Sequence, residues 1–583
     1  MHAINEQQPA EAKSEDIYRQ AKLASRSLHE HVHKMGWIIL ALILFLLLIK
    51  PILFFVLIFP YVGFFLYIQM TTTANNWLLR KPIFIEKKSR FGIYTNKNDK
   101  AGLINLGNEQ GSNKALWLSK SDLVTHALIL GQTGSGKTEL LLSLLSQFAM
   151  IGSGFIFCDA KGDLDGWFKL YSMARSLGFE DNLLVLNFSQ PSNDTPSYRK
   201  SSNMINLFEH GTADSIMEML NGFMGESSGE SSMWRGRAIS LGQVVLRALC
   251  ELRDHHVEVI TIERIRFYFQ LSKIEELTKH PLLSDKTKQG LQFYLNELPG
   301  WTDESDTDGA AESSRGRSEA NKQHGYLTMQ FTGVFEMLSG AYAHITQTEI
   351  SEVDFYDVIV NRRMLYIILP SLEKSPESLK SVGQIIVTQI RQALSKLLGA
   401  SNLSGTKNVL LDIRPSSSST PFAIVLDEFG SYAVSGTAQL AAQARSLGIC
   451  MMFASQDIDS MMKHSESEAK GILSNTRIKI VMKTDSEMTT RLAQHLGGDK
   501  YIFTADRLQV MNNSLFDATF DTGNYGLQKV HSITLQELAS QSLGECKIFF
   551  DGAFWSIKGI YANFPLANQV RINHFIKPKI NKN

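Results

Sequence analysis

The sequence predicts an α/β fold: a P-loop, RecA-like, mostly parallel sheet with an inserted all-α domain and an N-terminal transmembrane helical hairpin. Three observations carry that reading. A glycine-rich motif, GQTGSGKT at 131–138, lies between an apolar run and a helix-forming one. Short apolar runs recur along the chain, near-continuous rather than alternating, as in parallel strands buried on both faces. The stretch 37–70 is almost unbroken apolar sequence.

The membrane segment comes first along the chain. Residues 1–30 are polar and read as a cytoplasmic tail. As one helix, 37–70 would extend about 51 Å at roughly 1.5 Å per residue, against about 30 Å of hydrocarbon. Lys50-Pro51 falls near its middle, where a charge is costly and proline breaks a helix. Cations flank both ends: Arg19, Lys22, Arg26 and Lys34 before; Arg80, Lys81, Lys87, Lys88 and Arg90 after. The positive-inside rule then puts both flanks in the cytoplasm. A hairpin over 31–70, turning at Lys50-Pro51, satisfies all of this, and a single tilted crossing is the alternative. The run is too long for a signal peptide and no small-residue cleavage site follows it.

The strands are expected at 126–131, 155–159, 183–188, 364–370, 422–427, 449–455, 477–483 and 546–552. Helical segments separate several of them, which makes a doubly wound sheet. Between 206 and 325 the period changes. Trp234, Ala238, Leu241, Val245, Ala248 and Leu252 step by three and four along one helix face. The insertion is expected to end in a polar loop over 303–325, and a second loop precedes the 422–427 strand at 401–420. The nucleotide-binding domain is thus split into 71–205 and 326–583, around an all-α insertion at 206–325.

Composition sets outer limits. The 583 residues carry 58 Lys plus Arg against 58 Asp plus Glu, which excludes a polybasic mode of DNA binding. The four cysteines are far apart in sequence, with no zinc spacing and no disulfide framework.

The chemistry is concentrated in the glycine-rich motif. Gly131, Gln132, Thr133, Gly134, Ser135 and Gly136 let backbone N–H groups close around a phosphate at a helix N-terminus. Lys137 suits the β- and γ-phosphates of ATP, and the Thr138 hydroxyl suits Mg²⁺. A second apolar strand ends in Asp427-Glu428. Asp427 fits the Mg²⁺ shell, and Glu428 fits a base that orients the attacking water; a solvated acidic turn is the plain alternative. Asp159 and Gln456 end two further strands. In open α/β sheets, ligands bind beyond the carboxyl ends of strands, so Gly131, Asp159, Asp427 and Gln456 point at one site. Gln456 suits γ-phosphate sensing or water placement. Arg445 ends a helix that runs back to the opposite sheet edge, beyond reach of its own phosphates. Its two readings are a trans arginine finger and a cation capping helix carbonyls. Trp234, Arg235 and Arg237, with Asn475, Arg477 and Lys479, are open between substrate contact and structure.

These residues resemble a known family. GQTGSGKTE, FCDAKGD, VLDEFG, and QARSLG followed by FASQ are similar to the TraG/TraD-like coupling proteins of type IV secretion. SMWRGRAIS (232–240), HGYLTMQ (324–330) and NRRMLYIILPSLEKSPESL (361–379) look most like the type IVB, DotL-like branch. The resemblance runs from the hairpin to about residue 575. It implies a hexameric ATPase in the bacterial inner membrane, its bulk cytoplasmic, handing protein effectors or a relaxase with single-stranded DNA to channel components. On matching positions it implies Lys137 and Thr138 for phosphate and Mg²⁺, Asp427 and Glu428 for the second acidic motif, Arg445 for the finger and Gln456 for the sensor. Two departures stand out. The usual DPKGE reads DAKGD here, which leaves the role of Lys161 and Asp163 open. Members of the branch tend to carry a long adaptor-docking C-terminal tail, whereas this sequence stops at IKPKINKN.

The expected function is therefore ATP-driven coupling of cargo to a type IV secretion or conjugation channel. The rivals are a double-stranded DNA pump of the chromosome-segregation type and a nucleotide-binding membrane scaffold without turnover.

Overall fold

The computed structural model describes residues 78–80, 82, 101–189, 201–224, 230–301, 310–371, 373–398, 418–505, 508–511, 518–521 and 525–573. The expected hairpin at 31–70 and most of the expected loop at 401–420 lie outside them. Among the described residues, no helix is long and apolar enough to cross a membrane.

All eight predicted strands form. In chain order the strands are β1 (Ile104–Glu109), β2 (Ala115–Leu118), β3 (Ala127–Leu130), β4 (Phe155–Asp159), β5 (Leu183–Asn187), β6 (Met364–Ile368), β7 (Phe422–Leu426), β8 (Ile449–Ser455) and β9 (Ile478–Met482). Two small ribbons follow, β10 (Asp499–Ala505) with β13 (Tyr525–His531) and β11 (Leu508–Met511) with β12 (Ala518–Asp521). The hairpin β14 (Glu545–Phe550) and β15 (Ala553–Gly559) comes last. The main sheet has the order β2-β1-β15-β14-β9-β3-β8-β7-β4-β6-β5.

From β9 to β5 all neighbours are parallel. Those strands were legible because both faces are covered: every residue of β3, β4, β6, β7 and β8 is buried. Such strands cannot alternate, since a polar side chain on either face would lose its water. The 546–552 run is a correction to the expected pattern. It forms β14, which lies antiparallel to both β9 and β15. Continuous burial marks a covered strand and does not give its direction. With β1 and β2 it makes an antiparallel wing on one edge.

The connection from β5 to β6 is helical. In the helix Glu230–Asp254, the predicted face holds: Ala238, Leu241, Val245, Ala248 and Leu252 are buried. The loop expected at 303–325 is a second correction, because Ala310–Met329 is helical. Its composition is polar, yet packing decides. Ala320 and Leu327 are buried, and the buried His324 lies 2.7 Å from the Tyr294 hydroxyl and 2.6 Å from the Phe269 carbonyl oxygen. Tertiary contacts of that kind outweigh weak helix propensity. The helical segment shares one apolar core with the sheet, running from Leu186 and Phe188 through Val245 to Phe269. Truncating a buried member such as Phe188 to Ala would cost about 3–5 kcal/mol.

Candidate phosphate and cation site

The P-loop turns between β3 and the helix Lys137–Met150. Its start is clamped on two sides: the Gly131 N–H donates to the Ser455 and Gln456 carbonyls, and the Gln132 N–H to the Lys483 carbonyl. Gly131 has no room for a side chain, since a Cβ would lie 2.8 Å from Met482 Cβ. Gly136 is in the left-handed region at φ 91 and opens the helix without a side-chain cap. The first-turn N–H groups thus face the cleft with no capping oxygen, the arrangement that receives an anion.

The second half of the site follows β7. In the sheet order, β8 stands between the P-loop strand β3 and β7. Two strand spacings, about 10 Å, therefore separate Gly131 from Asp427. Glu428 closes that gap. It sits in the left-handed region (φ 49, ψ 39), uncommon for a residue with a Cβ. Its Oε1 accepts from Lys137 Nζ at 3.1 Å, with Lys161 Nζ at 3.8 Å. The Lys137 and Glu428 side chains are 4% and 13% exposed, so the pair is shielded from water.

Asp427 is fully buried. Its Oδ1 accepts the Glu428 N–H at 2.9 Å, while Oδ2 has no hydrogen-bond partner among the described residues. Burial pushes its pKa up to about 6, helped by the neighbouring Glu428 charge and opposed by Lys137. The buried Ser135 hydroxyl is likewise unpartnered among the described residues. A buried carboxylate oxygen left without a donor is costly. An oxygen-loving divalent cation fits it.

A cleft of about 310 Å³ opens beside these groups, with Gly131, Ser135 and Asp427 behind its lining. It is lined by predicted residues Gln132, Thr133, Gly134, Gly136, Lys137, Thr138, Asp159 and Glu428. Asp159 lines it with both oxygens engaged: Oδ2 accepts from the Tyr366 hydroxyl at 2.7 Å and Oδ1 from the Lys161 N–H at 2.8 Å. Burial raises its pKa, and these two donors pull it back. Asp159 therefore orients its surroundings rather than offering a free oxygen.

Gln456 sits at the end of β8, between the two halves, with its carbonyl on Gly131 and its side chain exposed, outside the set that lines the cleft. Arg445 precedes the amino end of β8 and is exposed. About 20 Å of strand separates it from the P-loop edge. The six ambiguous residues are placed as follows. Arg235 donates to Asn221, Arg237 lies over the Trp234 ring at 5.8 Å, and Trp234 packs on the core. Asn475 donates to the Ala438 carbonyl, Lys479 to the Thr476 carbonyl, and Arg477 pairs with Asp551.

Sequence reading missed five residues that line the cleft: Glu139, Asp165, Gly166, Lys169 and Leu543. Lys169 bridges Glu139 at 2.6 Å and Asp165 at 2.7 Å; only its i,i+4 spacing from Asp165 was visible. Leu543 also lines the cleft, because the Gly544 N–H donates to the Ser135 carbonyl at 3.1 Å. No local signal ties residue 544 to residue 135. Beyond β15, residues 560–573 cross the adjoining helices: the Ala562 and Ala567 N–H groups donate to Ser143 and Ser172, and Asn573 donates to the Glu180 and Leu183 carbonyls.

Fold and site together define a P-loop α/β protein in which one strand separates the phosphate loop from the acidic strand end. A family model described as the TraM recognition site of TraD and TraG matches residues 421–540. The type 4 coupling protein DotL of Legionella pneumophila is 37% identical over 495 residues, covering 82% of this chain. The chain is similar to the TraG/TraD-like type IV coupling proteins, and it spans 62% of that relative's length. Looser likenesses run to solved structures. The conjugative coupling protein TrwB aligns at 14% identity and a TM-score of 0.48 over 78% of this chain and 90% of that one. VirB4 of Thermoanaerobacter pseudethanolicus aligns at 13% and 0.43 over 79% and 97%.

Proposed function

We propose that this chain is an ATP-hydrolysing motor, anchored in the bacterial inner membrane by the 31–70 hairpin, that couples cargo to a type IV secretion or conjugation channel. The observation that carries it is the convergence of Lys137, Thr138 and Glu428 on one cleft from two non-adjacent strands, with the unpartnered carboxylate oxygen of Asp427 buried next to Glu428. In this reading the uncapped helix start and Lys137 bind the β- and γ-phosphates of ATP. Thr138 and Asp427 hold Mg²⁺, which neutralises charge on the transferred phosphoryl group. Phosphate binding draws Lys137 away from Glu428 and frees that carboxylate to orient water. Gln456, at the end of the intervening strand, senses the terminal phosphate. Arg445 serves a neighbouring subunit in a homo-hexamer, since its place at the far edge of the sheet suits a trans finger. The helical segment between β5 and β6, with the boundaries 206–325 read from sequence, selects cargo.

The test is a trap. Full-length Glu428→Gln, purified from its own cells, is expected to hold ATP and retain cargo and channel components. Co-purification of a relaxase with DNA identifies a conjugation coupling protein. Co-purification of effectors with adaptors identifies a protein-secretion receptor. Recovery of neither overturns the secretion reading in favour of a DNA pump. Lys137→Ala with unchanged ATP turnover overturns the motor itself.

A further inference from the structure

The sequence left the roles of Lys161 and Asp163 in the DAKGD turn open, and the structure places every residue of that turn. Asp159 is locked by Tyr366 and by the Lys161 N–H. Ala160 is buried. Gly162 takes a left-handed turn at φ 67, where a Cβ would lie 3.0 Å from the Leu369 carbonyl oxygen. Asp163 caps the helix Leu164–Ser176 by accepting from the Asp165 N–H at 3.0 Å. The backbone on both sides of Lys161 is therefore fixed, and its side chain is held over the cleft that it lines.

We propose that Lys161 is a second phosphate-binding cation of this site, one that contacts the terminal phosphate of a bound nucleoside triphosphate. Its ammonium donates to Thr138 Oγ1 at 3.1 Å and lies 3.8 Å from Glu428 Oε1, the oxygen that also accepts from Lys137. Two ammonium groups thus share one carboxylate oxygen. The Lys137 and Lys161 charges repel each other, and the arrangement favours a multiply charged anion between them. The remaining cleft charges do not satisfy Lys161. Lys169 is paired with Glu139 and Asp165, Asp163 is engaged as a cap, and both Asp159 oxygens are taken by the Tyr366 hydroxyl and the Lys161 backbone N–H, leaving the Lys161 ammonium a charge at a distance. Lys161 is 39% exposed where Lys137 is 4% exposed, so it keeps the freedom to follow an incoming ligand. Its position beside both Thr138 and Glu428 puts it at the hydrolysed end of the nucleotide rather than at the base.

This inference rests on the nucleotide site proposed above, and the experiment separates the two. Fluorescent ADP and a fluorescent non-hydrolysable ATP analogue are titrated into full-length wild type, Lys161→Met and Lys161→Arg, with Mg²⁺ and with EDTA. Lys161→Met is expected to lose about tenfold in triphosphate affinity and to keep its diphosphate affinity. Lys161→Arg is expected to retain the triphosphate preference. Equal losses for both nucleotides in Lys161→Met would make Lys161 structural and overturn the inference, as would no loss for either. Tighter triphosphate binding at low Mg²⁺ would make it a competitor of the metal and overturn it too. If Lys161→Met does not fold, Lys161→Gln is read by the same criterion. A wild type that binds neither nucleotide sinks the site itself.

Discussion

Lys137 and Glu428 stand 291 positions apart in sequence and meet at 3.1 Å across the cleft. The contact joins the phosphate loop to the strand end that β8 holds two places away. It also states the resting condition of the site: the lysine that would bind phosphate is neutralised by the carboxylate that would activate water. An arriving phosphate has to replace that carboxylate.

Glu428→Gln should therefore uncouple binding from turnover. The amide is isosteric and still accepts from Lys137, but it can no longer compete as an anion or take a proton. Hydrolysis should fall by about 100-fold or more, while triphosphate affinity holds or rises. Steady-state turnover set beside nucleotide titration checks it, and weaker binding in the variant would reject the account.

Asp427→Asn should stabilise the Mg²⁺-free protein at neutral pH. The carboxyl titrates near 3.8 when unfolded and near 6 when folded. Between those values the folded state keeps a proton that the unfolded state releases, so stability falls as pH rises from about 4 to about 6, and stays reduced above. A shift of about two units corresponds to at most about 3 kcal/mol. Urea denaturation should show the variant more stable by about 1–3 kcal/mol at pH 7.5, with the gap closing towards pH 4. Mg²⁺-dependent nucleotide binding should be lost with the gain, as when function is built from an unsatisfied group.

His126 predicts the opposite slope. Its Nδ1 accepts the Met451 N–H at 3.1 Å, which leaves Nε2–H to donate to the Ala441 carbonyl at 2.7 Å. Burial holds its pKa below 6.5, and the Arg445 charge pushes the same way. The unfolded chain takes up a proton below pH 6.5 that the folded ring refuses, so stability falls as pH drops through that range. Gln can supply both hydrogen bonds without titrating. The wild type should lose Tm more steeply than His126→Gln between pH 7 and pH 5. Parallel curves would reject it.

Arg445→Ala should leave nucleotide binding intact and lower turnover by about a thousandfold, if the guanidinium acts across a subunit boundary. Mixing decides the geometry. Glu428→Gln and Arg445→Ala subunits, each inactive alone, should regain activity together, because some interfaces then carry both intact groups. Absence of recovery would make Arg445 a local cation beside His126.

Much of this molecule was readable in one dimension. Strands buried on both faces are apolar except where a polar side chain finds a partner, as at the carboxyl ends Asp159 and Ser455, so β3, β4, β6, β7 and β8 announced themselves. The P-loop did too, because a phosphate cradle needs glycines, a lysine and a hydroxyl at fixed spacing along one turn. The helix face from Ala238 to Leu252 was legible for the same reason: its period is local. Strand direction was not, and β14 shows why, since burial alone does not encode the partner. Nor was the helix at 310–329, whose polar stretch is held by Tyr294 and Phe269 from other segments.

The site divides in the same way. The sequence alone pointed to two local motifs suited to phosphate and Mg²⁺, the glycine-rich turn at 131–138 and the acidic strand end at Asp427-Glu428, each legible because its side chains are neighbours in the chain. Only the tertiary structure decided what they do together. It inserted β8 between the two motifs and turned Glu428 into a left-handed backbone aimed at Lys137. It engaged both oxygens of Asp159 while leaving one of Asp427 bare. It hung Lys161 over Thr138 and latched Gly544 to Ser135. Each of those relationships joins segments far apart in the chain, and sheet order and packing set such distances, not local preference.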